Sequence, residues 1–413
     1  MGFEEESSAY IQSCGEWAQD LLCQLIAFRS MTGAERDVQE HLCGFLSSAG
    51  FTAEPAPVGE DIVNDADYTI VPEHKSYQGR PNILVNLPGS GGGRSVILNS
   101  HTDVVPGPDE LFVARFEHGV VYGRGACDAK GQVATILLAL SALKELGIRL
   151  KGEVQAQFVI EEEAGGNGSL STIIQGNQAD AAVVLEPTGL GVCPANRGAV
   201  WFKLGVTGKS VHMGQYREGV SAVDEMLGLV SILKRYESFL RDESKGQPRF
   251  PDDPSPVVVN IGRIRGGDWP STVPGECVVE GGIAFLPNRN IKRIREEIRD
   301  LIESKATPWA REHYSFEFAR LHNEAFETPI EHPAVECFHQ AAESVLGHRD
   351  LKGWVASCDG RLFYHRGRMP TIVFGPGDLG HAHSLDEQIR TGDILSAAEV
   401  LVKFLVDWCG VKE

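Results

Sequence analysis

Short apolar runs that break off into acids, histidines or glycines constrain this chain more than any other feature. NILVNL (82–87), SVILNS (95–100), EVQAQFVI (153–160), AAVVL (181–185) and PTIVFGP (370–376) are strand-length and apolar enough to be buried on both faces. Helical patterns alternate with them. EWAQDLLCQLIAFR (16–29) and ERDVQEHLCGFLSSA (35–49) carry apolar residues at helical spacing, and Gly50 follows as a stop. QVATILLALSALKEL, after residue 130, is apolar all round, and further helices are expected at 333–346 and 391–409. Alternation of this kind predicts an α/β layer built on a mostly parallel sheet, whose ligands sit at the carboxyl ends of the strands. The stretch Pro88–Gly93 between the first two runs reads as a flexible hairpin turn, since no Gly-Lys-Ser/Thr follows to make it a phosphate cradle.

The pattern changes near residue 199. VWFKLGVTG, a helix around 220–240, VVVNIGRI, CVVEGGIAFLP, a helix at about 290–304 and YSFEFARL make a β-α-β-β-α-β run. The expected architecture is therefore a catalytic domain in two parts, 1–198 and 326–413, interrupted by a smaller α+β lid at 199–325. A chain of 413 residues is too long for one core, which fits this division.

Bulk properties exclude some partners. Apolar content of 42% and charged content of 23% are those of a folded globular chain. Thirty-eight basic against 57 acidic residues leave −19, a field that repels nucleic acid and anionic membrane. No run reaches the roughly 18 apolar residues of a membrane span. Nine scattered cysteines without a CxxC pair read as reduced thiols. The start, MGFEEESSAY, lacks a basic, apolar leader, and the glutamates after Gly2 argue against myristoylation there. The cytoplasm is the expected compartment.

The chemistry gathers at the predicted strand ends. His101-Thr-Asp103 follows SVILNS, and positions i and i+2 of an extended segment share a face, so Asp103 can reach the His101 ring. Asp128 lies in the glycine-rich loop Tyr122–Gly131 before the long helix, as an N-cap or as a metal ligand. Glu161-Glu162-Glu163 ends EVQAQFVI, and three adjacent carboxylates repel unless water or cations compensate them. Glu186 follows AAVVL, and His381-Ala-His383 follows PTIVFGPGDLG. Histidines with more carboxylates than one ion needs suit two borderline-to-hard divalent metals sharing a bridging carboxylate.

Six ordered motifs carry a resemblance over nearly the whole chain. They are His101-x-Asp103, Tyr122-Gly-Arg-Gly…Asp128-x-Lys-Gly131, Glu161-Glu-Glu163…Gly168, Glu186-Pro187, Gly208…His212 and Gly375-Pro-Gly…His383-x-x-Asp-Glu387. In them the chain closely resembles the metallohydrolase family of acetylornithine deacetylase, succinyl-diaminopimelate desuccinylase, aminoacylase and glutamate carboxypeptidase. That resemblance implies a zinc-peptidase-like catalytic domain with a lid that also dimerises. It implies that His101 and Glu186 bind one zinc, Glu163 and His383 the other, and that Asp128 bridges them. Asp103 would orient His101, and Glu162 would be the general base. His381 is the rival to His383, which is preferred because Ser-Leu-Asp-Glu follows it. His212, in the lid, would stabilise the tetrahedral oxyanion across a homodimer interface. Cobalt or manganese could replace zinc.

Two positions depart from the family pattern. Its Asn-x-Val-Pro and a carboxylate-clamping arginine correspond here to Ser271-Thr-Val-Pro274 and Ala284. Arg361 and Gly377 are the remaining candidates for binding substrate, Arg361 either as a carboxylate clamp or as an ion-pair partner. The expected activity is deacylation, by loss of acetyl or formyl, of an N-acyl amino acid or related small N-acyl amine. A dipeptidase or carboxypeptidase of the same family is the alternative. A non-catalytic binding relative and a nucleotide-dependent α/β enzyme are weaker readings.

Overall fold

A computed structural model describes residues 3–71, 76–252, 254–347 and 351–412; Gly2 lies outside them. The chain divides into two compact units, Met1–Ala195 with Glu327–Trp354 and Cys358–Glu413, and Asn196–Phe326 with Val355–Ser357.

The first unit is built on a mixed nine-stranded sheet. At its centre Val154–Val159, Val96–His101, Ala182–Leu185 and Thr371–Phe374 lie side by side and parallel. Antiparallel strands extend it, Asn82–Leu87 and Ala53–Ala56 on one side and Val192–Asn196 on the other, where Phe326–Glu327 and Leu351–Trp354 pair with Val192–Asn196. Every residue of Val96–His101, Ala182–Leu185 and Thr371–Phe374 is buried, as unbroken apolar runs require of strands covered on both faces. Helix Gly131–Glu145, apolar on every side, packs against Gly15–Ile26 and Thr391–Cys409, and the last also packs on Pro333–Leu346. On the alternation alone, this is the α/β layer the strand runs predict.

One local expectation fails. Asn82–Leu87 and Val96–His101 are not a hairpin, because Val154–Val159 lies between them, antiparallel to the first and parallel to the second. Of the intervening glycines, Gly91 and Gly92 turn the chain at φ 100° and 81°, while Gly89 and Gly93 serve close packing. A Cβ on Gly89 would stand 2.3 Å from the Lys151 carbonyl oxygen, and one on Gly93 would stand 2.0 Å from that of Cys409. Such contacts admit only glycine.

The second unit carries a four-stranded antiparallel sheet, in the order Val258–Gly266, Glu276–Phe285, Gly198–Thr207 and Tyr314–Asn323. Helices Ala222–Glu243 and Ile291–Lys305 pack on one another. Both start on side-chain caps, Ser221 accepting from the Asp224 amide and Asn290 from that of Arg293.

Candidate metal centre

All four parallel strands end at one edge of the sheet, and each ending delivers part of a single cluster. His101 is the last residue of its strand and is buried. Its Nδ1 lies 2.9 Å from the main-chain oxygen of Asp103 and 3.5 Å from the Asp103 carboxylate. Its Nε2 is 3.0 Å from Asp128 Oδ1. The Asp103 carboxylate accepts from the amides of Glu162 and Glu163, both at 3.1 Å. Asp103 thus joins two motifs. It faces the first histidine and also fixes the turn that carries the adjacent acids.

Asp128 projects from a tight segment, Ala126–Lys130, whose Asp128–Ala129 peptide is cis. Glu387 holds that segment in place. Its carboxylate accepts from the amides of Gly125, Cys127 and Asp128 at 2.9–3.1 Å and pairs with Arg124 at 2.6 Å. Glu387 stands in the last sequence motif without an evident task, because its partners lie some 260 residues away and only the fold brings them together. Lys130, buried beside it, donates to the Phe28 carbonyl at 2.7 Å, and burial pulls its amine down to about 7.

Two triads result. One ligand atom from each of His101, Asp128 and Glu186 falls within 4.8 Å of the others, and so does one from each of Asp128, Glu163 and His383. Asp128 belongs to both. His383 Nε2 is 3.0 Å from Glu163 and 3.4 Å from Asp128 Oδ2. His381 points elsewhere, its Nδ1 lying 3.4 Å from the Gln388 amide.

The electrostatics are those of excess negative charge in a confined space. Burial, reinforced by Glu186 and Asp359, raises Glu162 well above the usual carboxylate range. Burial and Asp128 do the same to Glu186 and push Glu163 to about 7. Burial also opposes ionisation of Asp128, but hydrogen bonds from His101 and His383 outweigh it and hold Asp128 low. The opposite happens at the histidines. Burial would lower His101, yet Asp103 and Asp128 raise it well above its ordinary value, and Asp128 and Glu163 carry His383 to about 10. Among the described residues no lysine or arginine pairs with Asp128, Glu163 or Glu186. Carboxylate and imidazole donors in two triads with a shared acid are a donor set that fits two divalent cations.

The other candidates divide between the two units. Arg361 lies buried in helix Gly360–His365, and its Nη2 donates to the Gly165 carbonyl at 2.9 Å, bracing the turn that carries Glu162 and Glu163. Asp359, just before that helix, is pushed up to about 6 by burial. Gly377 adopts φ 80°, and its carbonyl accepts from Gly189 at 2.7 Å. His212 belongs to the second unit. It is exposed, its Nδ1 accepts from the Gly214 amide at 3.1 Å, and the next residue, Met213, donates to the Ser271 carbonyl at 2.8 Å. Ala284 is buried in the second unit's sheet opposite Ala199 and Val258, three small or apolar residues in a row.

Comparison with known proteins follows the same outline. Residues 97–407 match the family described as Peptidase family M20/M25/M40. The chain is 29% identical over 374 residues to an N-formyl-4-amino-5-aminomethyl-2-methylpyrimidine deformylase of Halalkalibacterium halodurans, covering 82% of this chain and 85% of that protein. It is 27% identical over 387 residues to an acetylornithine deacetylase of Pasteurella multocida, covering 91% and 92%. A tripeptidase from Staphylococcus aureus shares the fold with a TM-score of 0.75 at 18% identity, over 95% of this chain and 97% of its own.

Proposed function

The chain belongs to peptidase family M20/M25/M40, and on that premise we propose that it is a two-metal deacylase removing a formyl or acetyl group from a small N-acyl amine. The observation that carries this reading is the pair of triads meeting at Asp128, with Glu162 beside them on the same turn as Glu163.

In this reading His101 and Glu186 hold one divalent ion, Glu163 and His383 hold the other, and Asp128 is shared. When bound, such ions polarise the scissile carbonyl and acidify a water. Glu162 takes that water's proton and hands it to the departing nitrogen. Glu162 belongs to neither triad, which leaves its carboxylate free for that role. Asp103 keeps His101 in the right tautomer and holds Glu162 and Glu163 by their amides. Zinc is the proposed metal, with cobalt and manganese as substitutes.

Substrate choice rests on what is missing as well as on the relatives. Ala284 offers no bidentate contact to a carboxylate, so an acylated amine without one suits the site better than an N-acyl amino acid. Arg361 braces Gly165 through one Nη2 hydrogen bond and stays a candidate for binding substrate through its other donors. His212 is proposed as the donor to the oxyanion and the second unit as the dimerisation surface. All nine cysteines are free, which supports a reducing, cytoplasmic setting.

The decisive experiment is a screen of N-formyl amines, N-acetyl amino acids and dipeptides with zinc, cobalt or manganese, run beside Glu162→Gln. Deformylation or deacetylation is expected, with Glu162→Gln about 10²–10⁴-fold slower and metal content unchanged. Cleavage of dipeptides alone would overturn the deacylase reading in favour of a peptidase. An active Glu162→Gln would remove Glu162 as the base.

A further inference from the structure

The middle acid's neighbour, Glu161, is the least expected residue of the turn. It sits in the left-handed region at φ 59°, where a side chain with a Cβ is strained, and its carboxylate is completely buried. A conformation of that kind persists only when its surroundings over-determine it. Here they do. Tyr77 donates its hydroxyl to Glu161 Oε2 at 2.9 Å, Asn167 donates to the same oxygen at 3.0 Å, and the Arg80 guanidinium pairs with Oε1. Arg80 is itself buried, and its Nε faces the fully buried Glu35 at 3.0 Å. Asn167 also clasps Thr69 through both main-chain groups, at 3.0 and 2.9 Å.

Two acidic side chains around one guanidinium, all out of water, make a poor stabilising device, because desolvation cancels most of what charge can gain there. What the arrangement does provide is geometry. Glu161 is the hinge of the turn. Its carbonyl accepts from Gly166 and that of Glu162 accepts from Gly165, both at 2.8 Å, so gripping its side chain fixes where the next two residues leave the strand.

We propose that Arg80 and Tyr77 are positioning residues for the reaction. By holding the Glu161 carboxylate they set the turn that sends Glu162 and Glu163 to separate tasks. Neither residue touches substrate. This inference rests on Glu162 as the base and Glu163 as a ligand.

The test uses the full chain with Arg80→Ala, Tyr77→Phe and, as a control, Glu162→Gln. Arg80→Ala should lower kcat about 10–100-fold with KM unchanged, as loss of a group supporting an active-site ligand does. Added methylguanidinium should restore part of that rate. Tyr77→Phe, which deletes one hydroxyl, should lower kcat about threefold to tenfold. In metal-free protein, amide exchange at Gly165 and Gly166 should accelerate in Arg80→Ala while that of strand Val154–Val159 stays as in the parent. Parental kcat in both variants would overturn the proposal. So would exchange that accelerates equally through the strand, which marks a staple of the whole fold. If Glu162→Gln proved active, the base assignment would fail instead, and the exchange measurement would still judge the turn.

Discussion

The two triads share Asp128 and differ in nearly everything else. His101, Asp128 and Glu186 are all buried, and two of them terminate or directly follow parallel strands. In the other triad Glu163 is partly exposed, and the His383 side chain, on a loop, keeps half of its surface in solvent. His383 also sits at φ 61°, in the same strained region as Glu161. One proposed site is therefore walled by the sheet, while the other is presented on turns that strain and hydrogen bonds hold in place. A buried, rigid site suits tight and slow-exchanging metal binding; an open one suits exchange and access to substrate.

The largest effect should come from the residue common to both. Asp128→Asn removes a charged ligand from each triad at once. Activity should fall by about 10³-fold or more, since metal polarisation contributes several kcal/mol to hydrolysis. Elemental analysis should find fewer than two ions per chain. Two retained ions would mean that Asp128 does not join the triads. His101→Ala and His383→Ala should then separate them. The first should cost the tightly held ion, and the second only the weakly held one, which excess zinc restores. Graded chelation of the parent enzyme should likewise release metal in two phases. A single phase would erase the distinction between a closed and an open site.

Asp103→Asn should cost less, about 10–100-fold in kcat, because it acts through its neighbours. Its amide group can still face His101 but cannot accept equally from both the Glu162 and Glu163 amides. The deficit should exceed that of Thr32→Val, whose hydroxyl reaches Asp103 only at 3.4 Å. Steady-state kinetics of the two variants decide the point, and equal deficits would contradict it.

That contrast also marks where the sequence could be read and where it could not. Strand-end acids and histidines were legible as a set, because one acid after a strand is unremarkable but charge at the ends of several apolar runs points to one site. The helix Gly131–Glu145 was legible too, being apolar on all sides. The supposed hairpin at 82–100 was not, since the pairing of Asn82–Leu87 with Val154–Val159 is non-local and leaves no trace in either run. The supports leave no mark in the sequence either. Arg80 and Tyr77 lie in an irregular stretch without periodicity, and Glu387 gains its task only when Gly125, Cys127 and Asp128 fold onto it. Ligands announce themselves by residue type. The groups that aim them do so only by contact.

The last effect concerns the ion cluster behind the open triad, and it is one of stability and not of rate. Glu35 is fully buried, and burial, reinforced by Asp103 and opposed by Arg80, raises it from 4.5 to about 8. A carboxyl raised on folding binds its proton more tightly in the native state than in the unfolded one. Its stabilising contribution is therefore complete below about pH 4.5 and is lost as pH rises through about 8. Glu35→Gln keeps the shape without the titration. The melting temperature of the parent relative to Glu35→Gln should fall steadily between pH 5 and 8, by at most about 1.4 kcal/mol per pH unit in free energy, and stay level above. A difference that instead grows with pH would mean that Arg80 holds Glu35 ionised. The guanidinium would then be shared evenly between Glu35 and Glu161, and the open triad would rest on a fully charged support.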